Sequence, residues 1–278
     1  MSKCWHAGRF RLSLTKGKPL VMGIVNTTPD SFSDGGRLNS VSAAIEHARA
    51  LLEQGADVLD VGGESTRPGA DPVSPEQEWG RVGAVLEELV KWNVPISIDT
   101  MRPETMRKAL DVGVDILNDV YGFRAHGAAQ VLAKSKAGAV VMHMQGEPHT
   151  MQVLPKYADV VRDVHSFLHG RVQALLACGV DSGRILVDQG FGFGKTQAHN
   201  VALMKRVDQF QALGAGVLVG VSRKRMIGEI VGEDDPLKRV HGSVAAALYA
   251  AQKGAAVVRV HDVKATCDAL AVFQAFSG

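Results

Sequence analysis

The chain has 278 residues, 46% of them hydrophobic and 22% charged, a balance that excludes a chain disordered along its length. Its net charge of +2 gives no electrostatic footprint for nucleic acid or a membrane surface, and no apolar run approaches the length of a membrane span. The three cysteines are odd in number and widely separated, and residues 1–6 lack the apolar stretch of a signal peptide, so a reduced, cytoplasmic setting is expected.

In chain order, Gly8 to Pro19 reads as a short hairpin placed to cover one end of the fold, so residues 1–19 are set apart from a body over 20–278. Val21-Met22-Gly23-Ile24-Val25 is a first buried strand and ends at Asn26. Ala44, Ile45, Ala48, Leu51 and Leu52 share one helical face, and that helix stops at Gly55. Val58-Leu59 then leads to Asp60. Ser74-Pro75-Glu76-Gln77 combines a cap residue, a proline at the first helical position and a glutamine placed to complete a capping box, and Val85, Leu86, Leu89 and Val90 continue the helix. Pro95-Ile96-Ser97-Ile98 precedes Asp99, Ile116-Leu117 precedes Asn118, and Val140-Val141 runs to His143. Residues 160–176 form the longest helical stretch. Ile185-Leu186-Val187 leads to Asp188, Val217-Leu218-Val219-Gly220-Val221 leads to Ser222, residues 236–252 read as another helix, and Val257-Val258 leads to Arg259.

Five of these strands share one device. Gly55, Gly113, Gly138, Gly183 and Gly254 each stand five positions before the polar group, as expected where glycine ends a helix in the left-handed conformation and a buried strand follows. Eight strands alternating with helices imply parallel pairing through right-handed crossovers. The expected fold class is α/β, a single-domain (β/α)₈ TIM barrel with a short N-terminal hairpin; an open doubly wound sheet is the alternative. No linker or low-complexity stretch marks a second domain.

In such a barrel the carboxyl ends of the strands form the active face. Arg259 and His261 fall on one side of the last strand, a plausible anion clamp, and Ser222-Arg223-Lys224-Arg225 after the preceding strand reads either as its neighbour or as a solvated turn. Asp60, Asp99 and Asp188 bring carboxylates to the same rim, with Asn118 beside them. A carboxylate beneath a pocket accepts two parallel hydrogen bonds from a flat amino-amidine edge such as that of a pterin or guanine. Residues 26–36 and 62–69 mix glycine, proline, hydroxyls and charge, as lids over a substrate do. Gly190-Phe191-Gly192-Phe193-Gly194-Lys195 completes neither a Walker A nor a GxGxxG motif; its interleaved glycines suit a backbone brought close to a flat apolar ligand. His165 and His169, one helical turn apart, lie in no HExxH and read as an exposed helix face. Met142, Met144 and Met151 near His143 read as packing.

Asn26-Thr-Thr-Pro-Asp-Ser-Phe-Ser-Asp-Gly-Gly36, Gly62-Gly-Glu-Ser-Thr-Arg-Pro-Gly69, the glycine-phenylalanine loop, Ser222-Arg-Lys224 and Arg259-Val-His-Asp-Val263 resemble the bacterial dihydropteroate synthase family, from about Leu20 to the carboxyl terminus. Gln189 departs from it, since the family usually has proline there. The resemblance implies condensation of p-aminobenzoate with 6-hydroxymethyl-7,8-dihydropterin diphosphate, giving 7,8-dihydropteroate and diphosphate. It implies that Asp99, Asn118, Asp188 and Lys224 hold the pterin, and that Asn26, Arg259 and His261 hold the diphosphate, with Mg²⁺ on Asn26. Phe32, Asp34, Thr66, Arg67, Pro68, Phe193 and Ser222 would line the aminobenzoate site, and Asp99, Lys224, Arg259 and His261 would be the catalytic set. It further implies a homodimer and inhibition by sulfonamides. A non-catalytic pterin-binding relative is one alternative. A pterin-dependent methyltransferase is another, although Asp163-Val-His165-Ser-Phe-Leu168 ends in leucine where a cobalamin signature needs glycine.

Overall fold

A computed structural model describes residues 3–27, 37–64, 73–146, 151 and 155–277. Two antiparallel strands come first, β1 (Lys3–Ala7) and β2 (Phe10–Leu14). Eight parallel strands follow: β3 (Leu20–Asn26), β4 (Val58–Gly62), β5 (Ile96–Asp99), β6 (Ile116–Asp119), β7 (Gly138–Met142), β8 (Ile185–Asp188), β9 (Gly216–Val219) and β10 (Val257–Val260). They pair in chain order, and β10 closes on β3, so the sheet is a barrel and the doubly wound alternative is excluded. Closure leaves no sheet edge to protect. Outside lie α1 (Arg37–Glu53), α2 (Pro75–Leu89), α3 (Pro103–Val112), α4 (Ala128–Ala133), α5 (Val160–Ala177), α6 (Gln197–Met204), α7 (Arg225–Val231), α8 (Val240–Gln252) and α9 (Val263–Ser277).

Strand alternation divides the core in two. Leu59, Ile98, Leu117, Val187, Val258 and Val260 point outward and pack under the helices. Met22, Val58, Ile116, Val140, Leu186, Leu218 and Val257 point inward and fill the barrel interior. The capping box is present as expected: Ser74 Oγ accepts from the Gln77 N–H, and the Gln77 side chain accepts from the Ser74 N–H.

The hairpin does close the barrel floor, but its turn is at Gly8-Arg9, so it begins at Lys3 rather than at Gly8. Gly8 takes φ +57°, and Trp5, Ala7 and Leu14 face the interior cluster. Trp5 is fully buried and its Nε1 donates to the Arg184 carbonyl at 2.9 Å. Arg9 grips Asp115 with two hydrogen bonds of 2.9 and 2.8 Å, tying the turn to the start of β6.

Gly55, Gly113 and Gly254 follow helices with φ near +100°, +100° and +90°, as the five-residue device requires. Gly138 and Gly183 serve other ends. Gly138 opens β7, where a Cβ would come within 3.1 Å of the Ala7 backbone, and Gly183 lies in a short turn capped by Asp181. The helix expected over 236–252 is interrupted: Asp235 caps a separate turn over Pro236–Lys238. Arg239 is drawn inward to the carbonyls of Glu233 and Arg223, and α8 starts at Val240.

Candidate active site

The inward positions change character toward the carboxyl ends of the strands. Asn26, Gly62, Asp99 and Asn118 lie in one register row across β3 to β6. Asp60 was expected to end its strand. Instead β4 continues to Gly62, and Asp60 pairs in register with Ile24 and Ser97, one inward position deeper and fully buried. It forms the base of the site rather than its rim.

Arg259 stands on that base. Its Nε donates to Asp60 Oδ2 at 2.6 Å and its Nη2 to Asp99 Oδ2 at 2.9 Å. Asn118 Nδ2 donates to the same Asp60 oxygen at 3.2 Å, whereas Asp60 Oδ1 has no partner among the described residues. An arginine after an apolar strand had to find partners, and two carboxylates supply them. Burial depresses the Arg259 guanidinium, but Asp60 and Asp99 outweigh it and hold the group above its ordinary value. Asp99 is pushed up to about 7 by burial, against the pull of Arg259.

Across the mouth, Lys224 follows β9. Its Nζ donates to the Phe191 carbonyl at 2.7 Å and lies 4.8 Å from the centre of the Phe193 ring. Burial lowers it to about 8, with Asp188 acting to raise it. Burial likewise raises Asp188, opposed first by Lys224; one of its oxygens accepts from the Gly190 N–H at 2.7 Å. Asp188, Lys224, Asp99 and Arg259 thus act on one another electrostatically around one mouth.

Arg223 explains how the chain places Ser222 and Lys224 on either side of it. It takes the left-handed conformation at φ +58°, unusual for a residue with a side chain, and is held there by hydrogen bonds of 3.0 and 2.5 Å to Asp262. Ser222 Oγ accepts from the His261 backbone N–H at 3.1 Å and lies 3.0 Å from His261 Nδ1. The loops after β9 and β10 are therefore clipped together.

Asn26, Asp99, Asn118, Asp188, Phe193, Ser222, Lys224, Arg259 and His261 all lie at the carboxyl ends of the strands or in the loops that follow them. Phe32, Asp34, Thr66, Arg67 and Pro68, assigned to the aminobenzoate site, lie outside the described residues, as do most of the two lids. His143 does not join the rim: it follows the inward Met142, faces the other way and meets Lys195 and Phe167. The three methionines pack together with Phe193, Val120 and Tyr121. His165 lies against Phe210, and Leu168, at the glycine position of the cobalamin signature, is fully buried.

Sequence reasoning missed two supports. Glu78 is fully buried, its Oε2 accepting from Thr100 and Thr105 at 2.9 and 2.5 Å, and burial raises its pKa. Its place in the apolar series Glu78, Val82, Val85, Leu86 and Leu89 was a readable signal. Near it, Arg102 pairs with Glu64 at 3.0 Å, and Arg81 donates to the Gly63 carbonyl, fixing the start of the second long loop. The second missed support is Lys195, buried in the glycine-phenylalanine loop.

A closed parallel barrel whose carboxyl-end mouth sets carboxylates against arginine and lysine defines a (β/α)₈ enzyme architecture with a polar site. The chain belongs to the pterin binding enzyme family, whose model matches residues 22–261. It is 54% identical over 275 residues to the dihydropteroate synthase of Neisseria meningitidis serogroup C, covering 98% of this chain and 96% of that protein. The structure of Xanthomonas albilineans dihydropteroate synthase with 4-aminobenzoic acid superposes with a TM-score of 0.94 at 49% identity, covering 100% of this chain and 99% of that one. Burkholderia cenocepacia dihydropteroate synthase complexed with 7,8-dihydropteroate gives 0.90 at 47% identity, covering 99% and 96%.

Proposed function

We propose that this barrel is a transferase catalysing the dihydropteroate synthase reaction, joining p-aminobenzoate to 6-hydroxymethyl-7,8-dihydropterin diphosphate with release of diphosphate. The observation that carries the reading is the pairing of Arg259 with two carboxylates at a mouth that also holds Asp188 and Lys224. In this reading Asp188, Asn118, Asp99 and Lys224 bind the pterin, and Asp99 favours positive charge on its methylene as the carbon–oxygen bond breaks. Arg259, His261 and Asn26 take the departing diphosphate. Phe193 and Ser222, with Phe32, Asp34, Thr66, Arg67 and Pro68 from the lids, orient the aromatic amine beside the methylene carbon and keep water away. The amine attacks and loses a proton. No side chain becomes bonded to substrate.

Asn26 is half-buried at the end of β3 and offers a hard amide oxygen. Among the described residues no group of three or more His, Cys, Asp or Glu is arranged to hold an ion alone. Mg²⁺ commonly takes few protein oxygens and completes its shell with water and substrate phosphates, so Asn26 fits an ion shared with diphosphate. When bound, that ion would supply charge stabilisation at the leaving oxygens.

Ile230 and Val231 on α7, Leu237 in the turn after it, and Val272 and Phe276 on α9 are exposed apolar side chains, and a homodimer that covers them is the reading taken here. Sedimentation velocity tests it, and a monomer at micromolar concentration would refute it. The cysteines are unpaired, consistent with the cytoplasm; no helix among the described residues is long and apolar enough to cross a membrane. Sulfonamides, which imitate aminobenzoate, are expected to compete with it. The decisive assay is diphosphate release requiring both substrates and Mg²⁺. A folded, metal-loaded sample that binds pterin without turnover would overturn the reading in favour of a binding module.

A further inference from the structure

The loop between β8 and α6 is held from opposite sides by two lysines. Lys224 approaches from the mouth and donates to the Phe191 carbonyl. Lys195 lies behind, 3% exposed, with Nζ 2.8 Å from the Gly190 carbonyl, 3.0 Å from that of Phe193, 3.3 Å from that of His143 and 2.9 Å from His143 Nδ1. Three of these contacts are carbonyl oxygens, which only accept, so the amine donates to them. Burial drives His143 down to about 2, so its imidazole is neutral, and its Nδ1 is a fourth polar neighbour beside the three N–H groups an ammonium carries.

The backbone is shaped for this convergence. Gly190, Gly192 and Gly194 all take positive φ, alternating with Phe191 and Phe193. A Cβ on Gly190 would collide with the His143 carbonyl oxygen, and one on Gly194 would come within 2.7 Å of the Gln145 carbonyl oxygen. The loop therefore folds its carbonyls onto the buried amine and turns the Phe193 ring toward Lys224. Asn200 Oδ1 fastens its crest through the Gly192 N–H at 2.9 Å.

We infer that Lys195 is a positioning residue for the second substrate: its hydrogen bonds to Gly190, Phe193 and His143 set the place of the Phe193 ring. It touches no substrate and acts through the backbone. The inference rests on the assignment of Phe193 to the aminobenzoate site.

Lys195→Met keeps the stem and removes the donors. The expected result is a KM for p-aminobenzoate raised about tenfold or more, because a small displacement of an orienting group is costly. The KM for the pterin diphosphate should change less than about threefold, since Asp188 and Asn118 stay in place. A lower Tm with both KM values unchanged would reduce Lys195 to a structural role and overturn the inference. So would an equal rise in both KM values, or no change at all. If Lys195→Met does not fold, Asn200→Ala, which frees the crest of the loop, must show the same split on a smaller scale, and unchanged kinetics there overturn the inference. Phe193→Ala is run alongside. If it leaves the aminobenzoate KM unaltered, the site assignment itself fails; if it raises that KM and Lys195→Met does not, only the inference fails.

Discussion

Arg259→Met tests the base of the site, because methionine keeps much of the volume and removes the charge. Asp60 is fully buried with one oxygen unpartnered among the described residues, and it loses its 2.6 Å partner; Asp99, at the more open mouth, loses one of 2.9 Å. Removing one partner of a buried ion pair costs about 3–5 kcal/mol, because the remaining charge is left uncompensated. For a chain of this size that corresponds to a fall in Tm of roughly 10 °C. Adding Asp60→Asn should recover about 2 kcal/mol of it, since a neutral amide tolerates the site and still meets the Asn118 side chain. Diphosphate release should stay abolished in both variants. Urea unfolding followed by circular dichroism gives the stabilities, and the double-mutant cycle gives the coupling. A loss below about 1 kcal/mol for Arg259→Met, or a further loss on adding Asp60→Asn, would refute the view that this arginine neutralises a buried carboxylate.

With Asp99 raised to about 7 and Lys224 lowered to about 8, the two charges coexist best between those values. kcat/KM for the free enzyme should fall as pH drops through 7, where Asp99 takes up a proton, and again as pH rises through 8, where Lys224 loses one. A profile flat from about pH 6 to about pH 9 would contradict this, and Asp99→Asn should erase the acid limb. Lys224→Ala should remain folded and lose kcat/KM by about a hundredfold, read by steady-state kinetics; near-normal turnover would place the pterin elsewhere. Trp5→Ala in the floor should cost about 3–5 kcal/mol in unfolding experiments yet leave kcat nearly unchanged at low temperature, as the mouth lies at the other end. Gly190→Ala forces a side chain into the His143 carbonyl at positive φ and should lower both Tm and activity.

The strands were legible because a strand buried on both faces leaves a short apolar run, and its final polar residue stands out against it. Arg259 declared itself for the same reason: a guanidinium after Ala255-Ala256-Val257-Val258 requires partners. The depth of Asp60 was not legible, because it depends on how far β4 continues into Gly62 and on register with β3 and β5. The hairpin was displaced by several residues because Trp5 and Ala7 show their inward face only once the barrel exists to receive them. The burial of Lys195 at the end of the glycine-phenylalanine loop was not legible, because only folding curls the loop's carbonyls around it. The clip between Arg223 and Asp262 joins residues 39 positions apart, beyond any local pattern.

The floor carries a consequence for how the molecule is made. Ala7 rests against Gly138, Trp5 against Arg184, and Leu14 near Gly216, so this segment has its docking places more than a hundred residues downstream of it. It must wait, unseated, while most of the polypeptide emerges, and such distant pairings are slow to form. Slow seating of this plug should therefore be the last event in reaching the native state, and the indole of Trp5 is the natural reporter of when it happens.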